Sequence, residues 1–94
     1  MTKATVTDRA TALDYQESGT VKVVAQGSGL MARNIAELAQ RHNVLVLQDF
    51  TLSERLSQVP VGTRIPDKVF AALAVVLDFL EREDERAGPG PVVE

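Results

Sequence analysis

Strand patterns and helix patterns alternate along this chain within only 94 residues, and this alternation limits its fold more than any other feature. The elements follow in the order strand 8–16, strand 21–25, helix from residue 30, strand 44–47, short helix 52–58 and long helix from Pro66 to about residue 84. Interleaved strands and helices are typical of layered α/β structures. The sequence therefore predicts one α/β domain, a small mixed β-sheet with three or four helices packed around it.

Three local patterns make these predictions more specific. The first strand alternates, with Ala10 and Ala12 facing one side and Thr11, Leu13 and Tyr15 facing the other. The unbroken apolar run 44–47 is too short for a helix and predicts a central strand buried on both faces. The segment 51–54, Thr-Leu-Ser-Glu, has the pattern of a capping box and predicts the start of the short helix.

The boundaries of the domain follow from charge and from proline. Residues 1–7 are expected to be an N-terminal extension and residues 8–86 the folded domain. The formal net charge of −3 comes entirely from the last fourteen residues, which carry five acidic and two basic side chains. Within them, the Gly-Pro-Gly-Pro segment cannot hold a helix, because proline lacks the backbone donor and glycine is entropically costly there. We therefore predict a disordered tail over 87–94.

Composition excludes several classes of function. The chain has no cysteine, which excludes disulfides and thiolate chemistry, and its lone His42 cannot form a zinc cluster without several carboxylates. The serines have no local histidine, and the acidic side chains at 78, 81 and 85 are interpreted as a solvated helix face. No apolar run approaches the length of a membrane span, and a net negative charge does not favour nucleic acid. We expect a cytoplasmic, non-enzymatic protein without cofactor, metal, nucleic-acid partner or inserted segment.

One motif nevertheless suggests a ligand. Residues 27–32, Gly-Ser-Gly-Leu-Met-Ala, fit the dinucleotide-binding pattern, follow a predicted strand and open a helix. Asp49 closes the next strand, where a nucleotide-binding fold places an acid on the ribose. The simpler interpretation is structural, since a strand that turns sharply into a helix needs small residues with free φ. We favour Gly27 and Gly29 as a structural turn and keep a small nucleotide-binding protein as the alternative.

Several stretches together resemble the cytoplasmic C-terminal domain of the FlhB/YscU family, the export switch proteins of bacterial flagellar and type III secretion. The matching residues are Ala10-x-Ala12-Leu13-x-Tyr15, Val23-Val24-Ala25-x-Gly27-x-Gly29-Leu30-x-Ala32, Ile35, Leu38-Ala39, His42-Asn43-Val44, Gly62-x-x-Ile65-Pro66 and Phe70-x-Ala72-x-Ala74-x-Val76-Leu77. The resemblance covers about residues 5–80 and explains the glycine motif without a nucleotide, because the family carries these glycines at the same junction.

The chain departs from the family in two respects. Full-length members have four transmembrane helices before this domain, whereas this chain is expected to be a form without them. Members also cleave themselves within an Asn-Pro-Thr-His tetrad by cyclisation of the asparagine, and the matching positions are Thr5, Val6, Thr7 and Asp8. Only Thr7 agrees, so these positions are expected to be vestigial and the chain not to cleave itself.

The resemblance implies a free-standing counterpart of the C-terminal fragment that cleavage releases. Such a protein is expected in the cytoplasm or peripherally at the inner-membrane export gate, binding gate or switch proteins, export substrates or chaperones. Residues 8–16 are expected to offer an edge strand, with Arg9, Thr11, Leu13 and Tyr15 contacting the partner. The sequence leaves open whether the system is flagellar or virulence-type, and whether the chain is instead a regulatory subunit unrelated to export.

Overall fold

A four-stranded sheet carries helices on both faces in the computed structural model, which describes residues 9–16, 19–80 and 88–94, without the side chains of 76–80 and 88–89. The elements are β1 (Arg9–Tyr15), β2 (Val21–Ser28), α1 (Leu30–Arg41), β3 (Val46–Leu47), α2 (Phe50–Leu56), α3 (Asp67–Leu80) and β4 (Gly88–Val93). The strand order is β2-β1-β4-β3. β1 runs antiparallel to both of its neighbours, and β3 runs parallel to β4. The predicted small mixed α/β sheet is confirmed.

Each face of the sheet has its own hydrophobic core, and the two alternating sides of β1 contribute to different ones. The face that packs on α2 and α3 buries the larger cluster, namely Leu13, Val21, Val23, Leu52, Leu56, Val59, Ile65, Val69, Leu73 and Val93. The face that packs on α1 buries Ala10, Ala32, Ala39 and Val92. Small side chains on the α1 side let that helix approach the sheet closely, while the branched side chains fill the other side.

The end of α1 explains why β3 is so short. Asn43 adopts a left-handed φ of 60° after the C-cap His42, a conformation that asparagine tolerates at helix ends. The Val44 N–H then donates to the Ala39 carbonyl at 2.8 Å, which is the Schellman arrangement of a helix C-terminus. Because Val44 completes the helix end, only residues 46–47 pair as a strand. The prediction of a central strand over 44–47, buried on both faces, is wrong: β3 lies at one edge of the described sheet.

The short helix α2 begins earlier than the sequence predicts. Asp49 is its N-cap, and its carboxylate accepts the Leu52 N–H at 3.0 Å. Thr51, predicted to be the cap, lies inside the first turn. Aspartate and threonine are both good N-caps, so the pattern alone did not decide between two starts two residues apart.

The predicted tail over 87–94 is wrong for the residues described, because Gly88–Val93 form β4 in the middle of the sheet. Proline is excluded from regular central strands but accepted at bulges. The pairing of β4 with β1 shifts register between Ala12 and Asp14, so the Gly90-Pro91 segment lies at such an irregularity. Both residues are buried there.

The outer side of β2 is partly covered by the loop before α3. Val23 exchanges backbone hydrogen bonds with residues 62 and 63, and the Ile65 N–H donates to the Val21 carbonyl at 2.9 Å. Beyond this contact the Gln26 amide donates to the Leu56 and Val59 carbonyls at 2.6 and 3.0 Å. The hydrogen bonds of this loop and of the Gln26 amide connect β2 to the end of α2 and to the segment that leads into α3. In the described part of the chain, no helix is long and apolar enough to cross a membrane.

Candidate functional site

Three strands of the sheet run in the same direction, and their carboxyl ends lie at one edge of the sheet. β2, β4 and β3 all end there, and β1 begins there, since Arg9 is paired with Ser28. The first turns of α1 and α2 follow directly from β2 and from the segment after β3. In α/β sheets, ligands commonly bind outside the carboxyl ends of the strands. This edge is therefore the candidate location of a binding site.

A cleft of about 480 Å³ opens at this edge. One wall is the face of α1 formed by Ala32, Arg33, Ala36, Glu37 and Gln40. The other wall is formed by strand ends and by α2, through Arg9, Gln48, Phe50, Ser53 and Glu94. We call this cavity the carboxyl-edge cleft. Small side chains form the floor of the cleft, and two arginines and two glutamates lie at its rim.

Two contacts shape the rim of the carboxyl-edge cleft. The Arg9 guanidinium lies over the Phe50 ring, 5.7 Å from its centre, within cation–π range. The Gln48 amide donates to a carboxylate oxygen of Glu94 at 3.3 Å. Phe50 remains 61% exposed, so the cleft presents an aromatic ring beside a cation to the solvent. Aromatic and arginine side chains are the groups that most often anchor protein partners.

One lining residue of the cleft has an unusual environment. Ser53 is 2% exposed, and its hydroxyl oxygen has no hydrogen-bond partner among the described residues. Neither Ser53 nor Phe50 was singled out as a binding residue from sequence. A serine at a buried position of α2 is the only sequence signal, and it becomes visible only once the start of the helix is known.

The structure separates the four predicted partner-binding residues. Arg9 reaches the carboxyl-edge cleft, and Tyr15 is half-buried against the larger core. Thr11 and Leu13 are buried, 1% and 2% exposed. The hypothesis that residues 8–16 offer an edge strand is wrong, because β4 pairs with β1 on the side that the sequence left open.

The two glycines of the motif occupy different environments. Gly29, the residue before α1, has φ 60° and ψ −128°, a conformation that glycine adopts without steric cost. Gly27 lies within β2, opposite Ala10, so the strand continues past its predicted end at residue 25 to Ser28. A Cβ placed on Gly27 would lie 2.8 Å from the Met31 Cβ. The first turn of α1 therefore folds back directly onto Gly27.

These contacts disfavour a nucleotide at the motif. Met31 occupies the space over Gly27 where a phosphate would approach, and the Asp49 carboxylate already caps α2. We expect isothermal calorimetry with NAD and with ATP to show no binding tighter than about 100 µM, or about −5.5 kcal/mol. Binding tighter than this limit would favour the nucleotide alternative.

The fit between Gly27 and Met31 can be tested by substitution. Gly27→Ala should lower the free energy of unfolding by about 1–3 kcal/mol, because the added methyl group overlaps the Met31 side chain. Urea unfolding measures this loss. Met31→Ala in the same chain removes the Cγ contact and should restore part of the loss. An unchanged midpoint for Gly27→Ala would show that the close contact does not exist.

Other predicted positions take no part in the cleft. Thr5, Val6, Thr7 and Asp8, which are expected to be vestigial, lie outside the described residues. His42 is exposed at the far end of α1. Of the three acidic positions near the end of α3, those at 81 and 85 also lie outside the description. The described residues contain no group of three potential metal ligands.

Comparisons with known proteins agree on one family. The family model described as the FlhB HrpN YscU SpaS family matches residues 5–80. The chain is 31% identical over 87 residues to the uncharacterized protein YlqH of Bacillus subtilis, covering 90% of this chain and 94% of that protein. It is 38% identical over 77 residues to the flagellar biosynthetic protein FlhB of Salmonella typhimurium, and 33% identical over 83 residues to FlhB of Helicobacter pylori. No solved structure matches it significantly.

The fold defines a small α/β domain with an open cleft at the carboxyl edge of its sheet. The family model and the similar proteins identify the chain more specifically than the fold does. The chain belongs to the FlhB/YscU family of export switch proteins. The match to Salmonella FlhB covers 79% of this chain but only 20% of FlhB. The match to YlqH covers almost the full length of both proteins. Membership supports a role related to flagellar or type III protein export.

Proposed function

We propose that this chain is a non-enzymatic protein-interaction module of the bacterial flagellar or type III export system. It corresponds to the C-terminal fragment that cleavage releases in the family, without the self-cleavage tetrad. The observation that carries the proposal is the family match over residues 5–80 combined with Thr, Val and Asp at three of the four tetrad positions. It acts in the cytoplasm, peripherally at the inner-membrane export gate.

The surface we assign to the partner is the carboxyl-edge cleft. It contains Arg9, the one predicted partner-binding residue that lines an open surface, next to the exposed ring of Phe50. A floor of alanines gives room for an apolar side chain of the partner, while the arginines and glutamates of the rim select complementary charges. Gate or switch proteins, export substrates and chaperones are the partners that the family suggests.

A pulldown with a purified export-gate protein tests this proposal. The wild-type chain should retain the gate protein, and Arg9→Glu should weaken retention by about tenfold, because an arginine anchor is lost and a like charge is added to the rim. Arg64→Glu is the matched control, since Arg64 is exposed and lies beside Lys22, at the opposite end of β2. Failure of the wild type to bind, or equal loss in both variants, would count against the cleft as the docking surface.

A further inference from the structure

β4 fills a channel between two strands that do not pair with each other. On one side it pairs antiparallel with β1, from Thr11↔Val93 to Tyr15↔Gly88. On the other side it pairs parallel with β3, where the Val92 and Glu94 N–H groups donate to the Leu45 and Leu47 carbonyls at 2.9 and 2.7 Å. We call the channel bounded by residues 11–15 and 45–47 the β4 slot. Any segment that enters the slot must be extended and must pair on both sides.

The β4 slot restricts the side chains of the segment that fills it as well as the conformation of its backbone. Val93 is 0% exposed and joins the larger core, while Val92 is 4% exposed and joins the core under α1. Gly90 lies against the backbone of Leu13, where a Cβ would be 3.3 Å from the Leu13 carbonyl oxygen. The slot therefore accepts a small residue followed, two and three positions later, by two apolar residues that face opposite sides.

β4 itself is an imperfect occupant of the slot. Pro89 and Pro91 carry no N–H, so β4 brings two fewer donors to the sheet than a proline-free strand of the same length. The register shift between Ala12 and Asp14 interrupts the ladder at the same place. A segment with the same two apolar residues but without the prolines brings two more backbone N–H donors to the slot.

We infer that the β4 slot is a strand-exchange site: β4 fills it at rest, and an extended segment of a protein partner displaces β4. The partner segment has the pattern small-x-apolar-apolar and pairs with β1 and β3. The identity of that partner as an export protein rests on the proposed function, but the slot and its selectivity rest on the geometry alone. While β4 is paired with β1, it blocks the edge of β1 to which the sequence suggested that a partner strand would add.

When only a fraction of molecules has β4 released, the apparent dissociation constant of a competing segment rises in inverse proportion to that fraction. Locking β4 in place must therefore weaken binding, and releasing the lock must restore it. Because the chain has no cysteine, a single engineered disulfide can serve as this lock.

The register provides the positions for the lock and for its control. Ala12 and Val92 face each other across β1 and β4, and the Val92 N–H points to β3, so they form a non-hydrogen-bonded pair with close Cα atoms. Ala12→Cys with Val92→Cys fastens β4. Lys22 and Arg64 face each other in the same way between β2 and the loop before α3. Lys22→Cys with Arg64→Cys forms a disulfide that leaves β4 free.

The experiment measures fluorescence anisotropy of a labelled peptide added to the full chain. The peptide copies residues 87–94 with both prolines replaced by threonine. We expect saturable binding that weakens by at least about tenfold when the Ala12–Val92 lock is oxidised and returns on reduction. The Lys22–Arg64 disulfide should leave binding unchanged. A peptide with aspartate at both valine positions should not bind.

Three results would overturn the inference: equal binding to the oxidised and reduced lock, no binding to the wild type, or equal binding of the aspartate peptide. A wild-type dimer that the oxidised lock abolishes would make the occupant a second copy of this chain and would overturn the assignment to a partner. The assay contains no export protein, so its failure leaves the carboxyl-edge cleft untouched, and failure of the pulldown leaves the slot untouched.

Discussion

Val93→Asp should leave the chain without a cooperative unfolding transition at 25 °C. Val93 is completely buried and contributes to the larger core from the middle of the sheet. A carboxylate at that position loses its hydration without gaining a partner, which costs more than about 4 kcal/mol. A domain of this size has a free energy of unfolding of only about 5–15 kcal/mol. Far-UV circular dichroism during guanidinium titration measures the result.

The same substitution at an exposed valine provides the control. Val75 lies on α3 and is 73% exposed, so Val75→Asp should change the free energy of unfolding by less than about 1 kcal/mol. If Val93→Asp kept a wild-type midpoint, residues 88–94 would not belong to the core, and the original prediction of a disordered tail would be right after all.

The second prediction is that this chain does not cleave itself. We expect the chain, joined behind the membrane part of a full-length family member, to run as one band on a denaturing gel. Cleavage in the family requires the asparagine side chain to cyclise next to proline. Thr5 has no amide that can form the succinimide, and Val6 does not provide the Asn-Pro bond. Intact mass spectrometry of the same protein measures the result independently.

A relative that carries the complete Asn-Pro-Thr-His tetrad is the cleaved reference for this experiment. Thr5→Asn, Val6→Pro and Asp8→His together restore the tetrad in the fused protein, and two fragments separated after residue 5 are then expected. Two fragments that separate there without these substitutions would refute the prediction and with it the vestigial role of Thr5, Val6, Thr7 and Asp8.

The sequence predicted those elements whose signals are local. The apolar periodicity located α1 and α3. The alternation in β1 correctly divided its residues between two faces, which the structure places in two different cores. Each of these signals depends on side chains within one or two turns of each other, so tertiary contacts did not change the outcome.

The sequence failed where the partner in the structure is distant along the chain. Gly-Pro-Gly-Pro is typical of loops, and only β1 and β3 make it a strand, by accepting a bulge at Gly90-Pro91. That one error produced a second, because β1 was predicted at an edge only while β4 was missing. The carboxyl-edge cleft was missed for a related reason: Phe50 and Arg9 are far apart in sequence, and no local pattern shows that they meet.

The position of β4 has a consequence for how the protein is made. β1 pairs with a strand roughly 80 residues further along the chain, and contacts of such long sequence separation form slowly. A nascent chain leaving the ribosome leaves one backbone edge of β1 unpaired until residues 88–93 have been translated. During that interval, holding chaperones and strand-rich neighbours have access to a strand edge that the finished protein covers.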